Sequence, residues 1–222
     1  MSKRRQIYDI QINEHSLLLT GKQGQVALVP SKNRIVLPYQ GNKKTFFQYL
    51  DTLEKSNRFE EIVLESDDPR QTFRDLKELC NWVPAAGGVI RNPKGEILLI
   101  YRKNYWDLPK GKLDAGEKSR QGAIRECQEE VGLKDLTIHT KIGVTWHMYR
   151  EINKSRSLKR TKWYVLVTHT PELVKPQKEE GIERVEWFNA SDALSMEPMY
   201  QNIRFILEKY INAFTPPKTA SI

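Results

Sequence analysis

GKLDAGEKSRQGAIRECQEEVGL, residues 111–133, is the stretch on which the reading of the chain turns. Gly132 stands where helices commonly stop, and a helix from about Ser119 to Val131 is predicted before it. Each helical residue advances by about 100°, so Glu126, Glu129 and Glu130 share an arc about 100° wide. Ala123, Ile124, Cys127 and Val131 form an apolar stripe alongside. One edge of the helix is built for burial, and three carboxylates border that edge. Like charges in one patch repel, and a bound cation relieves them. Oxygen donors alone favour a hard ion, Mg2+ or Mn2+, over zinc. Acidic helix faces are nonetheless common on protein surfaces, so the spacing around the glutamates has to decide.

Working outward, YWDLPKGKLDAGEK reads as a loop entering this helix. Before it, AAGGVIRNPKGEILLIYR is a predicted hairpin that turns at Asn92-Pro93-Lys94-Gly95. Downstream, strands near 136–149 and 161–169 flank a basic linker, INKSRSLKR. A short strand at 184–188, a helical turn near 191–196, a helix at about 198–213 and a frayed tail, PPKTASI, follow.

The N-terminal third reads as a unit of its own, residues 1–83, with a boundary near residues 82–85. Strands are predicted at 6–12 and 16–20, in QVALVP and RIVLPY, and in EEIVLE. TFFQYLDTLEKS carries Phe46, Phe47, Leu50 and Leu53 at helical spacing. Asp68-Pro69 is a helix start signal, and that helix is expected to run to about Trp82.

Charged residues make up 29% of the chain and apolar ones 39%, which predicts a globular, water-soluble protein. No run approaches the roughly 18 apolar residues of a membrane span, and the first residues, MSKRRQIYDI, lack the apolar stretch of a signal peptide. Cys80 and Cys127 suggest neither a disulfide framework nor a zinc site, so a cytoplasmic setting is expected. The formal charge of +8 attracts anions, nucleic acid and phosphorylated small molecules alike. His15, His139, His147 and His169 show no ligand spacing.

The pattern G-x5-E-x7-R-E-U-x-E-E-x-G-U, with U apolar, resembles the Nudix box. Gly111, Glu117, Arg125, Glu126, Cys127, Glu129, Glu130, Gly132 and Leu133 occupy its places, with Cys127 where the family usually has an aliphatic residue. The resemblance covers roughly residues 84–214 and none of residues 1–82. It implies an α/β fold, an α/β/α sandwich around a mixed sheet, for residues 84–222, preceded by the small N-terminal α/β domain. It implies pyrophosphate hydrolysis in a nucleoside diphosphate derivative, with Mg2+ or Mn2+ held by Glu126, Glu129, Glu130 and the Gly111 carbonyl. Glu129 is counted among the catalytic groups too, with Glu117 organising the cluster and Arg125 orienting carboxylates.

Family members often use a further glutamate on a loop before a tryptophan-bearing strand. KEEGIERVEWF fits that place, with Glu180 as the choice and Glu179 and Glu183 as neighbours. Arg102, Lys110 and Lys112 surround the approach to the box as candidate phosphate ligands. Trp106 is the candidate stacking residue, with Tyr105, Trp146 and Trp163 also considered and core packing the commoner role for such rings. Lysine after the proline in WDLPKGKLDAGE points to dinucleoside polyphosphates, nucleoside triphosphates or inositol pyrophosphates. Removal of pyrophosphate or a cap from RNA 5′ ends, suited to the basic linker, is one alternative, and a non-catalytic nucleotide sensor is another. The presence of every box carboxylate speaks against the sensor. The N-terminal unit has a limited core of its own, so it is expected to pack on the catalytic domain or on a second subunit as a homodimer.

Overall fold

The computed structural model describes residues 7–22 and 33–214, so QVALVP and PPKTASI lie outside the described residues. The chain forms two compact units. Residues 1–83 join with 146–159 in the first, and residues 84–145 with 160–222 in the second.

In the first unit, β1 (Tyr8–Ile12) and β2 (His15–Gly21) form an antiparallel hairpin. β3 (Arg34–Pro38) and β4 (Glu61–Ser66) are parallel neighbours, and β4 also runs parallel to β2. α1 (Lys43–Lys55) crosses from β3 to β4, its first turn capped by Asn42, whose side chain accepts from the Lys44 and Thr45 amides. Phe46, Leu50 and Leu53 are buried as their spacing requires, whereas Phe47 stands 44% exposed beneath the Arg156 guanidinium. α2 (Pro69–Glu78) begins with the Asp68 cap and proline start read from the sequence.

It stops four residues before Trp82. The Leu79 amide turns back to the Leu76 and Lys77 carbonyls, and β5 (Asn81–Arg91) has already begun. Trp82 instead packs 5.7 Å from Trp146, with Lys77 over its ring at 4.1 Å. Aromatic burial overrides helical periodicity here.

The expected basic linker is also different. β9 (Thr137–Arg150) and β10 (Arg156–Val167) are long strands joined by a turn in which the Glu151 amide donates to Ser155. The Ser-Arg-Ser-Leu-Lys-Arg stretch is therefore strand from Arg156 onward. Within the first unit, β1 pairs in parallel with Trp146–Met148 of β9. Arg156, with only 3% of its side chain exposed, reaches Glu54 Oε1 at 2.8 Å and also pairs with Asp51. Arg150 reaches the same two acids, at 2.5 Å and 3.1 Å. These arginines, in and beside the expected basic linker, are neutralised by one face of α1. Met148 and Leu158 belong to the apolar core of this unit, with Ile10, Leu17, Leu50 and Leu64.

The second unit is the layered one. Its strand order is β11 (Ile182–Phe188), β6 (Ile97–Arg102), β5, β10, β9, with β7 (Tyr105–Asp107) on β6 and β8 (Lys110–Lys112) on β5. Side chains alternate between two cores as the pleat demands. Leu98 and Ile100 join Ala123, Cys127 and Val131 of α3 (Ser119–Val131) on one face. Ile97 and Leu99 face Ala193 of α4 (Ala190–Ser195) and Ile203, Ile206 and Leu207 of α5 (Gln201–Phe214) on the other. This is an α/β sandwich of helix, sheet and helix.

β7 and β8 replace part of what reads as a loop. Gly87 makes this possible, because a Cβ there would lie 2.3 Å from the Pro109 carbonyl oxygen. The glycine lets the Leu-Pro-Lys-Gly segment lie directly on β5.

Because Glu54 and Arg156 are both nearly inaccessible, removing Glu54 leaves the buried Arg156 with Asp51 as its remaining acid. Glu54→Ala is expected to destabilise the first unit by about 3–5 kcal/mol in urea titrations. A loss under about 1 kcal/mol would place the pair with weak surface bridges.

Candidate functional site

The box lies along β8, the turn after it, and α3. Gly132, with φ of 77°, ends the helix in the left-handed conformation. At the other side of the site the β8 backbone meets the helix closely. A Cβ on Gly111 would fall 1.7 Å from Glu126 Oε2, so only glycine leaves the Glu126 carboxylate its place.

Arg125 gathers the acids on the outer side. Its Nε and Nη2 donate to the two oxygens of Glu117 at 2.9 and 2.8 Å, the two-pronged geometry a guanidinium suits. Nη1 reaches Glu126 at 2.8 Å and Glu129 at 3.0 Å, and Nη2 also donates to the Lys112 carbonyl. The Arg125 hydrogen bond holds Glu117 below the usual carboxylate range, against a smaller opposing effect of burial.

Glu130 sits on the inner side with 3% of its side chain exposed. It accepts from the Lys110 amide at 2.8 Å and from Arg102 Nη1 at 3.0 Å. Burial pushes its carboxyl up to about 7, although Lys110 and Arg102 act in the other direction. Cys127 fills its aliphatic place as a buried thiol directed at the Pro109 carbonyl.

The three box glutamates thus fall on one helix, but their carboxylates do not meet at one point. Among the described residues, no three His, Cys, Asp or Glu side chains converge as a metal cluster would. Arg125 takes up Glu126 and Glu129, while Arg102 and the Lys110 amide take up Glu130. The donor chemistry still fits a hard divalent ion. Glu126 offers carboxylate oxygens beside the bare backbone of Gly111, Glu129 shares Arg125 with it, and the neighbouring thiol is turned away.

Three expected substrate contacts are corrected. Arg102 spends its guanidinium on Asp107 and Glu130, and Lys110 Nζ lies 2.5 Å from Asp107, so neither charge is turned outward. Trp106 is 3% exposed, packed between Tyr101 and Phe188, and offers no face to a base. Lys112 alone of the four has an exposed side chain. Trp163 and Trp146 are likewise packing residues, and Tyr105 stacks on Tyr200 at 4.3 Å.

Glu180 ends a short turn, Lys178–Glu180, before Gly181 at φ 72°. It is exposed, as Glu179 and Glu183 are, and its charge is among those that raise Arg102. Ile182, two residues on, pairs with Arg102 across β11 and β6.

Two features escape sequence reading. Burial of Asp107, 2% exposed, works against its charge, yet Lys110 and Arg102 together hold its carboxyl below the usual range. An acid inside the apolar run Trp-Asp-Leu-Pro, three residues before a lysine, is its only signature. The second is a cavity of about 500 Å³ beside the box, lined among others by Glu117, Lys118, Ser119, Arg160 and Lys162. Burial, then Arg160 and Lys141, lowers the Lys162 ammonium.

A model of the NUDIX domain matches residues 81–210. The asymmetrical bis(5′-nucleosyl)-tetraphosphatase of Caenorhabditis elegans is 32% identical over 136 residues, which are 58% of this chain and 94% of that protein. The putative 8-oxo-dGTP diphosphatase of Bacillus subtilis (strain 168) is 41% identical over 58 residues, 25% of this chain. The chain spans 38% of that protein's length. A solved structure of a C. elegans Ap4A hydrolase binary complex matches at 28% identity and a TM-score of 0.49, covering 59% of this chain and 96% of its own.

Glu130 carries a raised folded pKa, so the folded chain binds more protons than the unfolded one between about 4.5 and about 7. Its contribution therefore falls as pH rises through that window. In metal-free buffer, Glu130→Gln is expected to flatten the decline in urea midpoint from pH 5 to 7.5. An unchanged pH slope would count against this burial.

Proposed function

The chain belongs to the NUDIX family of pyrophosphohydrolases, and on that premise we propose that it hydrolyses a phosphoric anhydride bond in a nucleoside diphosphate derivative with the help of Mg2+ or Mn2+. The observation that carries this reading is the close approach of the Glu126 carboxylate to Gly111, with Arg125 gathering Glu117, Glu126 and Glu129 around it. The preferred substrate is a dinucleoside polyphosphate or a nucleoside triphosphate. The C. elegans tetraphosphatase supports the former, because the likeness runs over 94% of its length.

A divalent cation bound to Glu126, Glu129 and the Gly111 carbonyl, with Glu130 behind them, would neutralise phosphate charge and acidify a water molecule. The chain's own groups do the rest. Glu117 and Arg125 keep the acidic face in place, and Glu180 takes the proton of the attacking water. Lys112, with Arg160 and Lys162 in the neighbouring cavity, draws the anionic substrate to the box. The product nucleotide leaves carrying the displaced phosphate oxygen.

We assign the first 83 residues an accessory part, in substrate selection or in association with a second copy of the chain. Point substitutions suit this question better than truncation at residue 84. The fragment would keep Trp146, Met148 and Leu158 while losing the unit whose core they share.

The screen that tests the reading offers dinucleoside polyphosphates, nucleoside triphosphates and 5′-triphosphorylated RNA, with Mg2+ or with chelator. Nucleotide hydrolysis that needs the ion is expected. Release from RNA alone would move the substrate to nucleic acid. Glu129→Gln should slow turnover by at least about 100-fold, the scale of a lost electrostatic element. Glu180→Gln should slow it by about 10²–10⁴-fold, the scale of a positioned base. Gly111→Ala, which displaces the end of a flexible Glu126 side chain, should keep the unfolding midpoint and lose activity. Near-normal rates in all three would sink the assignment.

A further inference from the structure

Asp107 lies at the end of β7, outside the box, with 4% of its side chain exposed. A buried carboxylate persists only with strong partners. Asp107 Oδ2 accepts from Lys110 Nζ at 2.5 Å and from Arg102 Nη2 and Nε at 3.2 and 3.3 Å. Its Oδ1 accepts from the Leu108 amide at 2.7 Å. Both residues also hold Glu130. Arg102 Nη1 donates to Glu130 Oε1, and the backbone amide of Lys110 donates to Glu130 Oε2. Asp107, Arg102, Glu130 and Lys110 therefore close a ring of two anions and two cations. The ring ties β6, β7 and β8 to the inner edge of α3. The residue after Lys110 is Gly111, whose backbone lies against Glu126.

We propose that Asp107 is a positioning residue for the divalent ion. By holding Lys110 and Arg102 it keeps Glu130 and the Lys110–Gly111 backbone in register with Glu126. Asp107 itself touches neither ion nor substrate. Replacing it with asparagine keeps the shape and removes one of two anions, which leaves both cations to compete for Glu130. The Lys110 side chain, no longer anchored three residues back, then draws the 110–111 backbone away from its place. This inference rests on the functional reading above, which gives Glu126, Glu129 and Gly111 to the ion.

The test is a Mn2+ titration of the full chain, read by the electron paramagnetic resonance of free Mn2+, for wild type and Asp107→Asn. The variant should show wild-type circular dichroism and a Mn2+ dissociation constant raised about tenfold or more, as with other groups placed behind metal ligands. A merely structural role would lower the unfolding midpoint while leaving Mn2+ affinity at the wild-type value, and that result overturns the proposal. If Asp107→Asn does not fold, Lys110→Met removes the other end of the same pair. Weakened Mn2+ binding in that variant supports the proposal, and unchanged binding overturns it. Wild type that binds no Mn2+ brings down the functional reading and this inference together. Wild type that binds Mn2+ and hydrolyses nucleotides, beside an Asp107→Asn that binds equally well, defeats this inference alone.

Discussion

Burial of Glu130 is the constraint around which the candidate site is arranged. A carboxylate with 3% of its side chain exposed must find hydrogen-bond donors or give up its charge. Here the donors are a backbone amide and a guanidinium, one on each side. The amide belongs to Lys110, so satisfying Glu130 places β8 against the helix and brings Gly111 to Glu126. The guanidinium belongs to Arg102, whose second partner is Asp107, which in turn collects Lys110. One polar demand on one helix edge thereby ties β6, β7 and β8 to α3.

The outer edge of the same helix follows another logic. Glu117, Glu126 and Glu129 remain more accessible, and Arg125 serves all three at once. A guanidinium can do this because its donors spread in a rigid plane, where an ammonium would act as a single point. The helix thus separates its acids by depth. The inner one is tied to Arg102 and the Lys110 amide, and the outer ones share Arg125.

In the first unit charge also does what apolar contact alone would not. The tip of the β9–β10 hairpin buries Met148 and Leu158, yet its arginines are held by Asp51 and Glu54 on α1. Buried ion pairs of this kind are weak sources of net stability but strict about geometry, since breaking one leaves an unpaired charge.

What the sequence by itself determined follows from repeats that are local. The α3 helix, its apolar stripe, the glycine that ends it, the Asp68-Pro69 start and the hairpin before the box all depend on neighbours within a few residues. Pattern therefore reveals them, and box spacing likewise revealed the family. Only the tertiary structure decided which charges are spent. Arg102 and Lys110 read as phosphate ligands because a sequence shows that a residue is cationic, not that the nearby Asp107 is buried and takes up both charges. Arg156 read as part of a basic linker for the same reason, its acids lying about a hundred positions earlier. Trp82 read as helix and Trp106 as a stacking face because burial is a property of the assembled core. Burial and the choice of charge partner are properties of the folded chain, whether the partner lies three positions away or a hundred.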